Sequence, residues 1–551
     1  MTSAPVKPDV DSAPPLRAAA PRLSGGWPLL GHLLEMRRAP IALFRRVRAE
    51  CGEVGEIDLA GTHVTLLSGA DAQEAFFRAS DDQLDQGAAY PFMKPIFGPG
   101  VVFDLPLEAR RRTLRTQALR DVHMRGHAEV IARETERMCD QLGESGEIDL
   151  LDFFGELTTY TSTATLIGQS FRDDLAIRGP EFSAAFHHLE RGTDALAYVN
   201  PNLPLPSFRA RDKARAELVA LIGEILDRRE HEGRQCHDLL QVMDSLVNEK
   251  GERRYSRSEI TGMIIGMMFA GHHTSQGVAS WALIELLQHP QILSATVEEL
   301  EGLYADGREV SFQSLREIPV LEGVLKETLR MHPPLIILMR KVVHDFHYKN
   351  WTVKAGDLVA ISPAVSNRLE EYFPEADRFR PERYGGQRRE DARNPWAWIP
   401  FGGGRHKCVG SAFALMQLKV IFSIVLRRLE FSLAQPAESY VDNHSKMVVH
   451  LKQPCRVRYR KRHESVASER HVEAARILRQ QEDDARPFKI VVDADLCQGH
   501  AVCMGEAPEL FALGEDEKVS VLEDDPRTAL RKKAEKAARY CPNRVLRIED
   551  V

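Results

Sequence analysis

Apolar side chains recur every three to four positions over Ala214–Arg228, Glu259–Gln288, Ser314–Met331 and Ser411–Leu429, the spacing that gathers them on one side of a helix. Short aliphatic runs at Val64–Leu67 and Leu358–Ile361 fit strands of a minor sheet. This alternation continues without a break from about Pro21 to Tyr459, so that part is mostly helical. Ser258–Gln288 differs from the rest because it is apolar nearly all round, which predicts a helix buried on most sides. At roughly 1.5 Å per residue it would run about 45 Å, enough to cross a domain.

The pattern then changes. Arg460–Arg486 is charged and Ala-rich with few large apolar groups, the composition of a partly helical linker. Pro487 ends it. Phe488–Val551 forms a second unit, small enough to need a staple such as a metal site. Residues 1–20 are Pro/Ala-rich without the apolar stretch of a signal peptide, and read as a disordered leader. The expected division is therefore 1–20 leader, 21–459 large domain, 460–487 linker and 488–551 small domain.

A chain of 551 residues with 43% hydrophobic and 28% charged residues reads as a soluble, multidomain globular protein. A net charge of −7 gives no reason to expect a nucleic-acid partner. No apolar run reaches the roughly 18 residues that span a bilayer. The eight cysteines are too sparse for a disulfide framework. Three of them crowd into the last tenth of the chain and one lies in a Gly-rich loop, a distribution that favours metal ligation in a reducing cytoplasm.

That loop, Phe401-Gly-Gly-Gly-Arg-His-Lys-Cys408-Val-Gly410, opens directly into an apolar helical segment. A cysteine just before a helix start meets amide N–H groups and the positive end of the dipole, which favours thiolate. The glycines permit tight turning and close approach to a flat macrocycle. Arg405 and His406 are placed to meet haem propionates. A phosphate loop does not fit, since neither GxGxxG nor GxxxxGK[ST] is present. The stretch resembles the cysteine-ligand loop of the cytochrome P450 family, F-x-x-G-x-[HR]-x-C-x-G. Glu327-Thr-Leu-Arg330 matches that family's E-x-x-R, and Arg383 in RPERY its third member. The resemblance implies that Cys408 ligates the iron of haem b and that Glu327, Arg330 and Arg383 form a buried ion network supporting the loop. The implied fold is the mainly α cytochrome P450 fold with a minor β-sheet, followed by a small α+β ferredoxin-like domain.

The middle of the long apolar helix reads Ala270-Gly-His-His-Thr274. A threonine there can bond a carbonyl one turn back and loosen the helix into a groove. Most P450s carry Asp or Glu before that threonine, whereas this chain has His273, which resembles the sterol 14α-demethylases. Tyr90-Pro-Phe-Met-Lys-Pro-Ile-Phe97-Gly-Pro-Gly-Val101-Val-Phe-Asp104 is similar to the same subfamily's Y-x-[FL]-x-x-P-x-F-G-x-x-V-x-[FY]-D. Carried over position by position, Tyr90, Arg340, His406 and Gln86 would hold the haem propionates, with Phe401 in the haem loop. Phe92, Met93, Phe97, Ala270, Leu335, Ile337, Met447 and Val448 would line an apolar sterol cavity. His273 and Thr274 would deliver protons, and Glu190 would pair with His273.

In the small unit, Cys497-Gln-Gly-His500-Ala-Val-Cys503 with Cys541-Pro542 resembles a bacterial-type ferredoxin whose C-x2-C-x2-C run has lost its middle thiolate. That favours a [3Fe–4S] cluster on Cys497, Cys503 and Cys541. A [4Fe–4S] cluster using His500 and a structural zinc site are the alternatives, and the C-x5-C spacing suits zinc poorly. An acidic run over residues 506–525 is ordinarily a solvated face, but Lys407, Lys419, Arg427 and Arg428, in or after the cysteine loop, are a candidate basic partner that would steer docking by charge. The resemblances together imply a monooxygenase that removes the sterol 14α-methyl group by three O2-dependent oxidations, using its fused ferredoxin as electron donor. Its partners would be a sterol, O2 and a separate NAD(P)H-dependent ferredoxin reductase. No flavin or nicotinamide fingerprint is present in the chain. The expected location is cytoplasmic, with peripheral membrane contact as an option. A P450 acting on another terpenoid or fatty substrate, and a haem/iron–sulfur redox sensor, are the competing readings.

Overall fold

The computed structural model describes residues 18–101, 121–190, 197, 200–234, 238–248, 250–305, 307–386, 388–444, 447–462, 487–514, 516–523, 530–541 and 543–550. The helices that build the site are α1 (Ala70–Arg78), α2 (Met93–Phe97), α3 (Asp121–Gln141), α4 (Leu150–Ser162), α5 (Gln169–Glu190), α6 (Pro206–His231), α7 (Arg257–Gln288), α8 (Pro290–Tyr304), α9 (Pro319–Met331), α10 (Ser411–Arg428) and α11 (Arg531–Tyr540). Among the strands are β1 (Val54–Leu59), β2 (Thr62–Leu67), β3 (Leu84–Asp85), β4 (Ser145–Asp149), β5 (Leu338–Val342), β6 (Leu358–Ile361), β7 (Leu429–Leu433), β8 (Arg456–Lys461), β9 (Phe488–Val492), β10 (Phe511–Leu513), β11 (Val519–Val521) and β12 (Leu546–Asp550).

All four helical segments expected from periodicity are present. One is divided: Ser314–Arg316 is a 3₁₀ turn, and Pro319 at the first position of α9 starts the helix proper. The two expected strands, β2 and β6, pair in parallel with Val64 opposite Leu358, inside a five-stranded sheet of order β1-β2-β6-β5-β3. Two boundaries differ from the sequence reading. Ala18 and Ala19, at the end of the expected leader, pair with Trp351 and Thr352. Arg460 and Lys461, the start of the expected linker, complete β8, which pairs with both β7 and β4. Their alternation of apolar and charged residues was masked by the arginines on the exposed face.

The long helix α7 is closed at its start by a capping box, Ser256 with Glu259. It packs on α4, α9 and α10, and the largest core lies between these helices and α3. Phe488–Asp550 has its own small core, including Phe488, Leu510, Phe511, Ala534 and Leu546, under the antiparallel pair β9–β12. No helix among the described residues is long and apolar enough to cross a membrane.

Candidate haem-thiolate and cluster sites

Glu327 and Arg330 form a two-pronged ion pair at 2.8 Å on α9, and Arg383 Nε donates to the same carboxylate at 3.0 Å. All three are fully buried. Such charges persist in a core only when every lone pair and proton is satisfied. Here the backbone N–H of Arg380 and the Tyr384 hydroxyl also donate to Glu327, while Arg330 donates to the carbonyls of Asn367 and Ala376. Asn367, which the sequence reading missed, carries the network to the cysteine loop. Its Oδ1 accepts from Ile399 N–H at 3.0 Å, and Ile399 accepts in turn from Gly402 N–H. Nothing in an isolated Asn signals this role, because it depends on two segments about thirty residues apart meeting.

The loop closes with Cys408 N–H donating to the Phe401 carbonyl at 2.9 Å. Two of its glycines are required by the close approach of α1. A Cβ on Gly404, which has φ +60°, would lie 2.3 Å from the Phe77 carbonyl oxygen, and one on Gly403 would meet the Phe77 ring at 2.8 Å. The Cys408 side chain is exposed, yet protein surrounds it closely enough that burial raises its pKa, against the opposing pull of the Gly410 N–H and Lys407. With α10 starting three residues later, the donor set fits a thiolate ligand to a haem iron.

The expected propionate ligands sit as follows. The Tyr90 hydroxyl accepts from Met339 N–H at 2.9 Å, next to the buried Arg340, whose guanidinium lies 5.3 Å from the Phe76 ring. His406 Nε2 hydrogen-bonds the Asp81 carboxylate, and Gln86 is half-buried before the turn that leads to Tyr90.

Helix α7 is buried along most of its length, but Met267, Ala270, Gly271 and Thr274 are partly or fully exposed at three- and four-residue spacing. One face of its middle turns therefore opens into the interior. Thr274 Oγ1 donates to the Ala270 carbonyl at 2.6 Å, as expected from the sequence. His273 is buried between the rings of Phe186, stacked at 5.5 Å, and Phe269 at 4.7 Å. It faces α5, the helix that ends at Glu190, but the Glu190 side chain lies outside the described residues, as does the 102–104 end of the aromatic motif. The neighbouring His272 takes the satisfied core role, with Nδ1 3.1 and 3.0 Å from the Thr158 and Thr159 hydroxyls.

Phe92, Met93 and Phe97 are buried in one cluster with Phe269, and Tyr90, Met267 and Met447 pack against it. Ile337 packs in the adjoining cluster, which Tyr90 also touches, Val448 is buried and Leu335 half-buried. Most of the expected lining gathers around α2 and the α7 face, with Leu335 and Val448 outside both clusters.

In the small unit, Cys497, Cys503, Cys541 and His500 line one small cavity. Backbone N–H groups of Val519 and Val545 donate to the Cys497 and Cys541 sulfurs at 3.3 Å. Burial, with the other two thiols close by, pushes Cys503 up to about 12. Cys497 and Cys503 are buried and Cys541 is half-buried beside them, and thiols gathered out of water in this way suit positive charge between them, so the donor set fits a metal centre. Among the described residues, no three ligand-type side chains stand as close as a single ion requires.

The expected basic patch is corrected. Lys419 is buried against Glu322 at 2.6 Å, Arg428 pairs with Asp140, and Arg427 lies over the Tyr304 ring. Lys407 does lie at the junction, where burial and Arg544 pull it down to about 7 despite the nearby Cys541 and Cys408.

The cytochrome P450 family pattern matches residues 21–458, and a 4Fe-4S single cluster domain matches residues 490–548. The sterol 14alpha-demethylase of Mycobacterium tuberculosis is 57% identical over 447 residues, 81% of this chain and 98% of the relative. The sterol 14-demethylase of Arabidopsis thaliana is 36% identical over 80% of this chain and 91% of its own length. Among solved structures, a retinoic-acid-bound cyanobacterial CYP120A1 superposes with a TM-score of 0.70 at 21% identity. It covers 81% of this chain and all of its own, and it supports the fold alone.

Proposed function

The chain belongs to the cytochrome P450 family and, within it, to the sterol 14α-demethylases; from that premise we propose that it removes the sterol 14α-methyl group with electrons from its own C-terminal iron–sulfur domain. The observation that carries this reading is the meeting, in one chain, of the exposed Cys408 thiol at the head of α10 and the three-thiol cavity of the small unit. When bound, a thiolate-ligated haem supplies O2 activation for oxidising an unactivated C–H bond.

The chain's own residues do the rest. Cys408 would hold the iron, and Tyr90, Arg340, His406 and Gln86 the propionates. Phe92, Met93, Phe97 and their neighbours exclude water and orient an apolar substrate against the open face of α7. The Thr274 hydroxyl, held by the Ala270 carbonyl, would pass protons inward, with His273 behind it. Three oxidations, each using one O2 and an electron pair, take the methyl to alcohol, to aldehyde and then to formate with C–C cleavage. Reconstitution with an NAD(P)H-dependent ferredoxin reductase and a 14α-methyl sterol should yield formate and the demethylated sterol in equal amounts. Turnover of a different terpenoid with no formate from any such sterol would overturn the substrate assignment.

The cluster we read as [3Fe–4S], since His500 stands where a fourth iron's thiolate would be. An electron paramagnetic resonance signal in the oxidised, as-isolated protein tests this; a signal appearing on reduction alone would favour [4Fe–4S]. Exposed Trp27, Leu29, Leu30 and Leu34 form a local apolar patch near the N-terminal end of the described chain, suited to peripheral membrane contact. Co-sedimentation with phosphatidylglycerol vesicles should fall when Trp27 and Leu29 become serine.

A further inference from the structure

The small unit is seated on the Cys408 loop, and the contacts that seat it are not those of a loosely tethered carrier. Leu496, the residue before Cys497, is partly buried and packs against both the small unit's core and the large unit's cluster of Phe77 and Trp396. The next residue after that cysteine, Gln498, is buried and donates from Nε2 to the Lys407 carbonyl at 3.3 Å. The two cysteine loops therefore touch one residue from a ligand on each side.

Farther out, the Arg544 guanidinium lies 5.0 Å from the Trp398 ring and donates to Asp391 Oδ2 at 3.3 Å. The same oxygen accepts from Lys326 at 3.1 Å, Lys326 pairs with Glu322 at 2.9 Å, and Glu322 pairs with Lys419. A line of charges thus runs from the haem-domain core into the small unit. Asp391 also follows Glu390, whose carboxylate holds Arg383 of the buried ion network. An arginine stacked on a tryptophan and paired with a shared, buried carboxylate is the kind of residue that dominates an interface. Removing it would leave Asp391 with one cation and expose the Trp398 ring.

We propose that Arg544 is a latch that holds the iron–sulfur unit on the Cys408 loop in one fixed pose, and that Gln498 is the positioning residue that sets the register of the two cysteine loops. The partner surface is this chain's own haem domain. In that pose one electron at a time passes from the small unit to the large one without the small unit leaving. An NAD(P)H-dependent flavoprotein reductase is the external source, reloading the cluster after each transfer. The inference rests on the reading that Cys408 and the three small-unit cysteines hold a haem and a cluster.

The latch differs from charge steering in its response to salt. Exposed pairs such as Arg78 with Asp493 are weak and screened, whereas the Asp391 chain is mostly buried and screened little. The test uses the full, loaded chain with a protease site placed within residues 463–486. After cleavage, the two pieces should co-elute at about 10 µM in moderate salt, a concentration that a micromolar affinity would satisfy. Hydrogen exchange should show the 402–412 backbone protected. Arg544→Gln and Asp391→Asn, changes on opposite sides of the contact, should each weaken association on the order of tenfold or more and release that protection. Gln498→Ala should leave association nearly unchanged but slow the appearance of the reduced haem–CO band from a pre-reduced cluster, with both reduction potentials unmoved. Separation of the wild-type pieces, or unchanged association in both latch variants, would overturn the latch. An unchanged transfer rate in Gln498→Ala would overturn the positioning role. A wild type lacking the thiolate CO band or the cluster signal would instead fail the underlying reading.

Discussion

Thr274 combines two constraints that pull in different directions. Its hydroxyl is committed to the Ala270 carbonyl at 2.6 Å, which weakens the helix there, and the same hydroxyl faces the open side of α7. Thr274→Ala should tighten that turn and remove the proposed proton donor, so product formed per NADPH consumed should fall several-fold while sterol binding, read from the haem spin-state shift, changes little. Thr274→Ser, which keeps the hydroxyl, should retain most of the coupling. His273 and His272 show why neighbours can differ in role. His272 is satisfied by two threonine hydroxyls, whereas His273 is stacked among aromatic rings on the side of α5. At Cys503, substitution by serine should block NADPH-driven reduction of the haem but leave the dithionite-reduced CO complex with its thiolate band.

Among the elements, α9 is tied to its surroundings through both ends. At its C-terminal half, Arg330 reaches the Asn367 carbonyl, and the Asn367 side chain holds Ile399 at the entry to the cysteine loop. Asn367→Ala should cost about 1–3 kcal/mol, the usual cost of orphaning a buried donor, and should lower haem retention on gel filtration more than it lowers the melting temperature. At its N-terminal end, Glu299 of α8 accepts from the free N–H groups of Val320 and Leu321 at 2.8 and 2.9 Å. Burial nevertheless raises Glu299 to about 7, offset only in part by those bonds and Lys419. A carboxyl raised in the folded state binds its proton more tightly there than in the unfolded chain. Its contribution is therefore complete at low pH and is lost as pH rises from about 4.5 towards 7. Glu299→Gln should remove that loss, so the stability difference between variant and wild type should move in the variant's favour across this window, measured by denaturant melts at pH 5, 6 and 7.

For the molecule as a whole, the two units work as one only if they stay together. Per-haem turnover at saturating reductase should stay constant on dilution of the intact chain. It should also vary less with salt than charge steering through the acidic run would require, because Glu506 with Arg316 is one contact among mainly buried ones. Added free ferredoxin should compete poorly for the covered loop; strong competition at equimolar amounts would show that the loop is open.

Chemistry written in contiguous residues was legible from the chain alone. Cys408 before an apolar helix, the Glu327–Arg330 pair one turn apart, Thr274 bonding Ala270, and the Cys497–Cys503 run each depend on local spacing, which a sequence displays directly. So does the helix–strand order, with β2 and β6 recognisable from their aliphatic runs. What the tertiary structure alone decided are the meetings of distant segments. Asn367 bridging Arg330 to Ile399, Phe77 dictating Gly403 and Gly404, and Lys419 spent on Glu322 rather than on a docking patch all depend on packing. The last is the general case: a lysine in a sequence is a charge available to any partner, and burial beside a carboxylate ends that availability. The seating of Gln498 and Arg544 on the haem domain belongs to the same class, since short-range patterns carry no information on which faces of two domains will touch.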